Sequence, residues 1–175
     1  MAQNEYVILV DDNDNEIGRE EKITTHRLGL LHRAFSIFLF RRRNSHIELL
    51  LQQREKNKYH CGGLWTNTCC SHPRPGETIP DAGKRRLMEE LGIEASLNYA
   101  GSFQYKAEFS NGLIEYERDH VLVGYFDSDS VFFNRDEVEA VRWIPLPELE
   151  NEFKQGPEPF TPWFPPALSL ARQSI

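Results

Sequence analysis

Two short stretches of the chain combine residue types that could perform acid/base chemistry beside a metal ion. Cys70 and His72 lie two residues apart in the run Asn67-Thr-Cys-Cys-Ser-His-Pro73, and Glu115 and Glu117 repeat that spacing. In an extended strand, residues i and i+2 project from the same face, so each pair would present its side chains together. Two crowded carboxylates repel each other unless a cation or a shared proton compensates them. The alternatives are a solvated strand face for the glutamates and a buried apolar role for the cysteine.

Three histidines add possible metal ligands. With carboxylate oxygens, the imidazoles of His26, His32 and His72 would suit Mn²⁺, Fe²⁺ or Zn²⁺. Most single histidines are structural or exposed, so spacing alone leaves metal binding open. A nearby cation would favour the thiolate of Cys70 and make it a credible acid/base group. Cys69 would point to the opposite face, and we expect it to be a core residue.

A predicted helix carries paired charges that have two interpretations. Arg85 and Glu89, like Arg86 and Glu90, are four residues apart. They could form surface ion pairs of a few tenths of a kcal/mol each. Alternatively, Glu90 binds Mg²⁺ and Arg86 binds a phosphate, because Mg²⁺ prefers carboxylate and phosphate oxygens. Further bases that could bind an anion are Lys22, Arg54 and Lys58.

The elements that must position these residues are mostly strands around one clear helix. The helix is predicted over Pro80–Leu91, with proline in its first turn and Gly92 just past its end. Strands are predicted over 5–10, 34–40, 46–54, 64–70, 102–109, 114–117, 120–126 and 141–144, and further helices near 147–153 and 165–172. This order predicts an α/β (α+β) fold, a mixed β-sheet sandwich flanked by helices.

Composition narrows the class of protein. The chain has 175 residues, a formal charge of −7 and a pI near 5.4, which argues against nucleic acid as a partner. No apolar run approaches the roughly 20 residues that span a bilayer, and the N-terminus lacks the basic region of a signal peptide. Three cysteines, two of them adjacent, make a poor disulfide framework. We expect a cytoplasmic monomer of one domain, 1–175, that binds neither nucleic acid nor membrane.

These residues lie in segments that resemble the type I isopentenyl-diphosphate Δ-isomerases of the Nudix-fold superfamily. The resemblance covers nearly the whole chain and includes Gly29–Phe40, Leu49–Arg54, Thr66–Pro73, the helix motif and Phe160–Trp163. It implies a Nudix-like fold and an enzyme of isoprenoid biosynthesis with a small-molecule diphosphate substrate. The implied reaction interconverts isopentenyl diphosphate and dimethylallyl diphosphate, a 1,3-allylic proton shift through a tertiary carbocation.

The resemblance also implies a role for each site residue. Cys70 and Glu117 match the two essential catalytic groups, Tyr105 lies near the proton transfer, and Trp163 faces the cation. One divalent ion, Mn²⁺ or Zn²⁺, is bound by His26, His32, His72, Glu115 and Glu117. A Mg²⁺ ion bound with the diphosphate is held by Glu90 and the backbone carbonyl of Cys70. The diphosphate itself is bound by Lys22, Arg54, Lys58 and Arg86.

Two departures from the Nudix hydrolase motif bear on the reaction. Ser71 stands where hydrolases have glycine, and Arg86 stands where they have a metal-binding glutamate. Arg86 therefore argues against hydrolysis, although Glu89 and Glu90 remain. The alternatives are a pyrophosphohydrolase acting on a nucleoside diphosphate derivative and a catalytically silent binding module. Trp65, Tyr105 and Trp163 are expected to be core or pocket residues, and Trp65 and Trp163 could supply a dry pocket. We further expect residues 1–30 to form a mobile lid.

Overall fold

A computed structural model describes residues 4–175 and contains a mixed nine-stranded sheet with helices on both faces. This confirms the predicted fold class. The strands are β1 (Tyr6–Val10), β2 (Glu16–Glu21), β3 (His32–Arg43), β4 (His46–Arg54), β5 (Trp65–Thr66), β6 (Cys69–Ser71), β7 (Leu97–Glu108), β8 (Ile114–Tyr125) and β9 (Val138–Pro145). The helices are α1 (Lys22–Leu28), α2 (Ile79–Leu91), α3 (Leu146–Gln155) and α4 (Phe164–Arg172).

The long strand β3 organises the sheet. One edge pairs in parallel with β8, from His32 opposite Glu117 to Phe40 opposite Tyr125. On the other edge β3 pairs antiparallel with β6 and then with β4. Because both faces are covered by helices, the centre of β3 reads as an almost continuous apolar run.

Two core clusters lie on opposite faces of this sheet. One packs β3 and β8 against α3 and α4 and includes Phe38, Phe40, Val121, Val123 and Phe164. The other packs the sheet against α2 and includes Ile37, Leu39, Leu87, Leu91 and Leu122. The α2 helix has the predicted boundaries to within one residue. Thr78 caps its first turn, and Gly92 closes it in the left-handed region at φ 64°.

On one face of the sheet the side chains change from polar to apolar along the strands, and the polar part is where the site lies. On β3 the α4 side carries His32 and Ser36 before it carries Phe38. On β8 the same side carries Glu117 before it carries Val121. The first halves of these parallel strands therefore present polar groups, and the second halves present the core.

Two predicted strand boundaries were wrong. The segments 114–117 and 120–126 form the single strand β8, because Arg118 and Asp119 continue its alternation instead of interrupting it. The segment 64–70 divides into β5 and β6, since the Asn67 side chain donates to the backbone carbonyls of Ile37 and Cys69 at 3.1 and 2.8 Å. These side-chain bonds take the place of strand pairing at the break.

The sequence prediction also missed β2 and α1. The α1 helix has only seven residues, too few for a clear apolar period. Its N-cap is Glu21, whose carboxylate accepts from the backbone N–H groups of Ile23 and Thr24. Gly29 ends the helix at φ 66° and turns the chain back toward β3. Of the predicted 1–30 lid, residues 1–3 lie outside the described residues, and the rest form β1, β2 and α1.

Candidate active site

Four predicted metal ligands converge from four parts of the chain. His26 comes from α1, His32 from the start of β3, His72 from the residue after β6, and Glu117 from β8. One ligand atom from each of these residues lies within 4.8 Å of all the others. We call these residues the histidine–glutamate cluster. His72 Nε2 is 2.9 Å from Glu117 Oε1 and 3.2 Å from His32 Nε2.

Backbone carbonyls orient two of the imidazoles toward the centre of the cluster. His26 Nδ1–H donates to the carbonyl of Lys22 at 2.6 Å, and His32 Nδ1–H donates to that of Leu30 at 2.8 Å. Each ring is thereby left with its Nε2 atom for a ligand, as histidines that bind metals usually are. Within the described residues, His26 Nε2 is buried without a hydrogen-bond partner. The donor set therefore fits a divalent metal ion.

Three of the four members of the cluster are in the charge state that metal binding requires. Burial and the neighbouring His32 lower the pKa of His26, and they lower the pKa of His72 well below its ordinary value. Burial alone would raise the pKa of Glu117, but hydrogen bonding and charge from His32 bring it down to about 2. Burial acts to lower the pKa of His32 as well, but its hydrogen bond and charge interaction with Glu117 outweigh burial and raise it. Neutral imidazoles and an ionised carboxylate are the forms that ligate metals, so His26, His72 and Glu117 are in the ligating form and His32 would release a proton on metal binding.

Glu115, the fifth predicted ligand, lies beside this cluster but outside its 4.8 Å limit. Its Oε2 atom accepts a hydrogen bond from His60 Nε2–H at 3.0 Å. Glu115 and Glu117 are each only 4% exposed. The interpretation of these two glutamates as a solvated strand face is therefore wrong.

Cys70 presents a protonated thiol to the same region. Burial raises the pKa of Cys70 to about 12, although Arg54 acts in the opposite direction. The Arg54 Nη1 atom is 3.9 Å from the sulfur. Cys69 points to the opposite face of β6, packs in the core against α2 and contacts Glu90 Oε2 at 3.4 Å. The expected core position of Cys69 is thus confirmed, whereas the expected thiolate form of Cys70 is wrong, because burial outweighs the effect of Arg54 on its pKa.

The predicted aromatic residues occupy different surroundings. Tyr105 Oη donates to Glu117 Oε2 at 3.4 Å, and burial with Glu115 raises the pKa of Tyr105 well above its usual value. Trp163 is buried, and its ring lies 5.4 Å from the guanidinium of Arg54. Of the two alternatives for Trp65, the core position is the one observed: this side chain packs against the core and against Arg142 and does not line the cavity at the site.

A cavity with a volume of about 90 Å³ lies beside these groups, and its lining does not include Tyr105, His26 or His32. Pockets for drug-sized ligands start at roughly 300 Å³, so this cavity suits a small substrate. Its lining includes the four predicted anion-binding bases, which we call the cationic group: Lys22, Arg54, Lys58 and Arg86. The lining also includes Cys70, His72, Glu90, Glu115, Glu117 and Trp163.

Carboxylates neutralise most of the cationic group in this state. Lys22 Nζ is 2.9 Å from Glu5, Lys58 pairs with Glu137, and Arg86 pairs with Glu90. The interpretation of the α2 charges as surface ion pairs fits Arg85, whose Nη1 atom is 3.3 Å from Glu89, and Arg85 also binds Glu77 through two nitrogens. It fails for Glu90, which is 3% exposed and also accepts from the Gln52 amide at 3.0 Å.

Sequence reasoning missed several residues that line the cavity. Glu5, Glu137 and His60 had no motif to single them out. Ser36 donates to Asp119 Oδ2 at 2.7 Å, and burial with Glu117 raises the pKa of Asp119 well above its ordinary value. The i, i+2 spacing from Glu115 through Glu117 to Asp119 was a signal that could have identified Asp119.

Among residues 4–175, no helix combines the length and the apolar character needed to cross a membrane. The three cysteines are unpaired.

This fold and site define a Nudix-domain protein, and the NUDIX domain model matches residues 30–164. The chain is 49% identical over 170 residues to "Isopentenyl-diphosphate Delta-isomerase" of Photobacterium profundum, covering 96% of this chain and 94% of the relative. It is 52% identical over 160 residues to the enzyme of the same name from Burkholderia multivorans, covering 91% and 89%. The chain therefore belongs to the isopentenyl-diphosphate Delta-isomerase family, and its enzyme class is isomerase.

Solved structures agree on the fold. A crystal structure of a MutT NUDIX hydrolase from Burkholderia pseudomallei aligns with a TM-score of 0.61 at 21% identity, covering 80% of this chain and 97% of that one. A crystal structure from Deinococcus radiodurans aligns at 0.69 and 21% identity, covering 87% and 90%. At these identities the likeness concerns the fold alone.

Proposed function

We propose that this enzyme interconverts isopentenyl diphosphate and dimethylallyl diphosphate by a 1,3-allylic proton shift through a tertiary carbocation. The observation that supports this mechanism best is the pairing of two proton-handling groups in one small cavity. Cys70 keeps its proton, Glu117 is ionised, and both line the cavity. A proton shift needs one group that gives a proton and one that takes it.

The strand arrangement separates these two groups. Cys70 lies on β6, opposite Ser36 of β3, and Glu117 lies on β8, along the other edge of β3. A substrate held over β3 would therefore lie between the thiol and the carboxylate. The direction of the reaction decides which group donates, and Tyr105 supports Glu117 as a neutral hydrogen-bond donor.

The carbocation must be stabilised and protected from water. An unactivated alkene is a weak base, so protonation needs a positioned acid and an environment that favours the developing positive charge. The Trp163 ring offers a π face, which is worth about 2 kcal/mol to a desolvated cation. Its indole Nε1–H donates to Asn67 Oδ1 at 3.3 Å, which fixes the plane of the ring. Exclusion of water prevents capture of the cation as an alcohol.

We assign the histidine–glutamate cluster, together with Glu115, to one divalent ion, Mn²⁺ or Zn²⁺. Glu90 and the Cys70 carbonyl are assigned to Mg²⁺ accompanying the diphosphate. When bound, these ions supply positive charge that anchors the diphosphate and polarises neighbouring groups. Lys22, Arg54, Lys58 and Arg86 hold the phosphate oxygens, and the carboxylate partners of three of these bases are exchanged for the substrate.

Proton NMR of isopentenyl diphosphate with the enzyme and Mg²⁺ in D₂O tests the function. We expect deuterium to enter the allylic positions as dimethylallyl diphosphate forms. Phosphorus NMR of the same sample, and of one containing a nucleoside diphosphate derivative, detects hydrolysis. Phosphate release without deuterium incorporation would replace the isomerase by the Nudix pyrophosphohydrolase. Arg86, in place of a metal-binding carboxylate, argues against that outcome.

We also propose that the chain forms one domain, 1–175, whose N-terminal segment closes over the substrate. Two observations support closure: Lys22 at the start of α1 lines the cavity, and its partner Glu5 precedes β1. A non-reactive diphosphate analogue with Mg²⁺ should then slow amide exchange within residues 4–30. Residues of α3 remote from the cavity serve as the internal control. Unchanged exchange in 4–30 at saturating analogue would contradict the lid.

The remaining proposals concern assembly and location. Every group of the site comes from one chain, which supports a monomer, and light scattering would test it. Catalysis by a free Cys70 thiol requires reducing conditions, which supports a cytoplasmic location.

A further inference from the structure

His60 is a buried side chain for which the proposed reaction has no role. Its Nε2–H donates to Glu115 Oε2 at 3.0 Å, and its side chain is 3% exposed. The ring is enclosed by aromatic groups, with centroid distances of 4.3 Å to Tyr59, 5.0 Å to Phe109 and 5.8 Å to Trp163. It also lies 5.8 Å from the ring of His26.

The hydrogen bonding fixes which nitrogen carries the proton. Among the described residues, His60 Nδ1 is buried and has no hydrogen-bond partner. An oxygen of the Glu115 carboxylate is the acceptor in this contact, so His60 donates from Nε2. Leaving a polar atom buried and unpaired costs about 1–3 kcal/mol. A residue used only for packing among aromatic rings would have no reason to bear that cost.

The position of Glu115 explains what the bond accomplishes. Its carboxylate lies beside the histidine–glutamate cluster, and one of its two oxygens is occupied by His60. The same carboxylate also contacts Tyr105 and Glu117, so it faces the place where the cluster would hold a metal ion. Carboxylates that ligate metals are commonly held by such a second hydrogen bond, and removing that partner weakens metal binding about 10–100-fold.

We propose that His60 is a positioning residue that holds Glu115 Oε2, so that the remaining Glu115 oxygen completes the ligand set formed by His26, His32, His72 and Glu117. This inference rests on the proposed function, which assigns a divalent metal to these residues. In this assignment His60 acts on the metal through Glu115.

A pair of substitutions separates the hydrogen bond from packing. In His60→Gln the amide nitrogen can occupy the place of Nε2, whereas in His60→Asn the amide is too short to reach Glu115. His60→Phe keeps the aromatic packing but has no donor. We expect Asn and Phe each to weaken Mn²⁺ binding about 10–100-fold and Gln to retain it to within about threefold. Electron paramagnetic resonance titration of free Mn²⁺ measures this without reference to turnover.

Two further variants test whether the effect on Mn²⁺ binding comes from the contact between His60 and Glu115. His120→Asn is the matched control, because His120 is another buried histidine, paired with Asp14 at 2.9 Å, that points away from Glu117 on β8. It should leave Mn²⁺ affinity unchanged. In a Glu115→Gln background, His60→Asn should cause no further loss, because the group it positions is already altered.

The outcomes distinguish this inference from the function on which it rests. Mn²⁺ affinity within about threefold of wild type in His60→Asn or His60→Phe would overturn the positioning role. The same would follow if His60→Asn weakened binding equally with and without Glu115→Gln. Circular dichroism in the presence of EDTA identifies any variant that fails to fold, and the other donor-free variant then decides. If the wild-type protein binds no Mn²⁺ or Zn²⁺, the metal assignment fails instead.

Discussion

Replacing Cys70 by alanine is expected to lower isomerase turnover by about 10³- to 10⁴-fold, the upper part of the range for a positioned acid or base. That loss corresponds to about 4–5.5 kcal/mol in activation free energy. The substitution removes one of the two groups to which the proton shift is assigned. Divalent metal content should be unchanged, because the Cys70 sulfur is not a member of the histidine–glutamate cluster. Deuterium incorporation by proton NMR measures the turnover, and elemental analysis measures the metal.

Cys61→Ala is the matched control for this prediction. Cys61 is a partly exposed cysteine of the same segment that does not line the cavity. Its substitution should leave turnover near that of the wild type and would exclude a general effect of removing a thiol. If Cys70→Ala retained more than about a tenth of wild-type turnover while folded, Cys70 would not be an essential acid/base group.

Glu117→Gln should have an equally large effect on turnover and an additional effect on the metal. The carboxylate is ionised, with its pKa held at about 2, and its Oε1 atom lies 2.9 Å from His72. The amide can neither accept a proton readily nor offer the same negative charge to a cation. We expect a loss of about 10³-fold or more in turnover even at saturating metal, together with weaker metal binding.

Glu115→Gln is the control that separates the role of Glu117 in proton transfer from its role in metal binding. Glu115 is equally buried on the same face of β8, and it is assigned to the metal alone. Its variant should bind Mn²⁺ more weakly but recover most of its turnover when Mn²⁺ is saturating. Recovery by Glu117→Gln under the same conditions would show that Glu117 acts only through the metal. Turnover measured across an Mn²⁺ titration, with binding followed in parallel, compares the variants directly.

The sequence was informative wherever local spacing carries the chemistry. Glu115 and Glu117 at i, i+2 had to share a strand face, and Pro80 and Gly92 bounded α2 closely. The full length of β8, Ile114–Tyr125, could not be predicted in the same way. Charged residues inside a strand resemble a loop in the sequence, and only the tertiary structure shows that they line a cavity. The α1 helix was missed for a related reason: it is held by a Glu21 cap and a Gly29 turn, and it has no apolar period.

What the sequence determined by itself was the family and the chemical types of the site: a thiol, imidazoles, carboxylates and bases in an acidic chain. Only the tertiary structure decided which of these groups lie together and which charge each of them carries. It brought His26, His32 and His72 to Glu117 across 91 positions of the chain, and it placed the unpredicted His60 on Glu115. Burial also decided charge, since the same fold keeps the Cys70 thiol protonated and Glu117 ionised. Desolvation and hydrogen bonding depend on neighbours distant in sequence, and no local pattern encodes them.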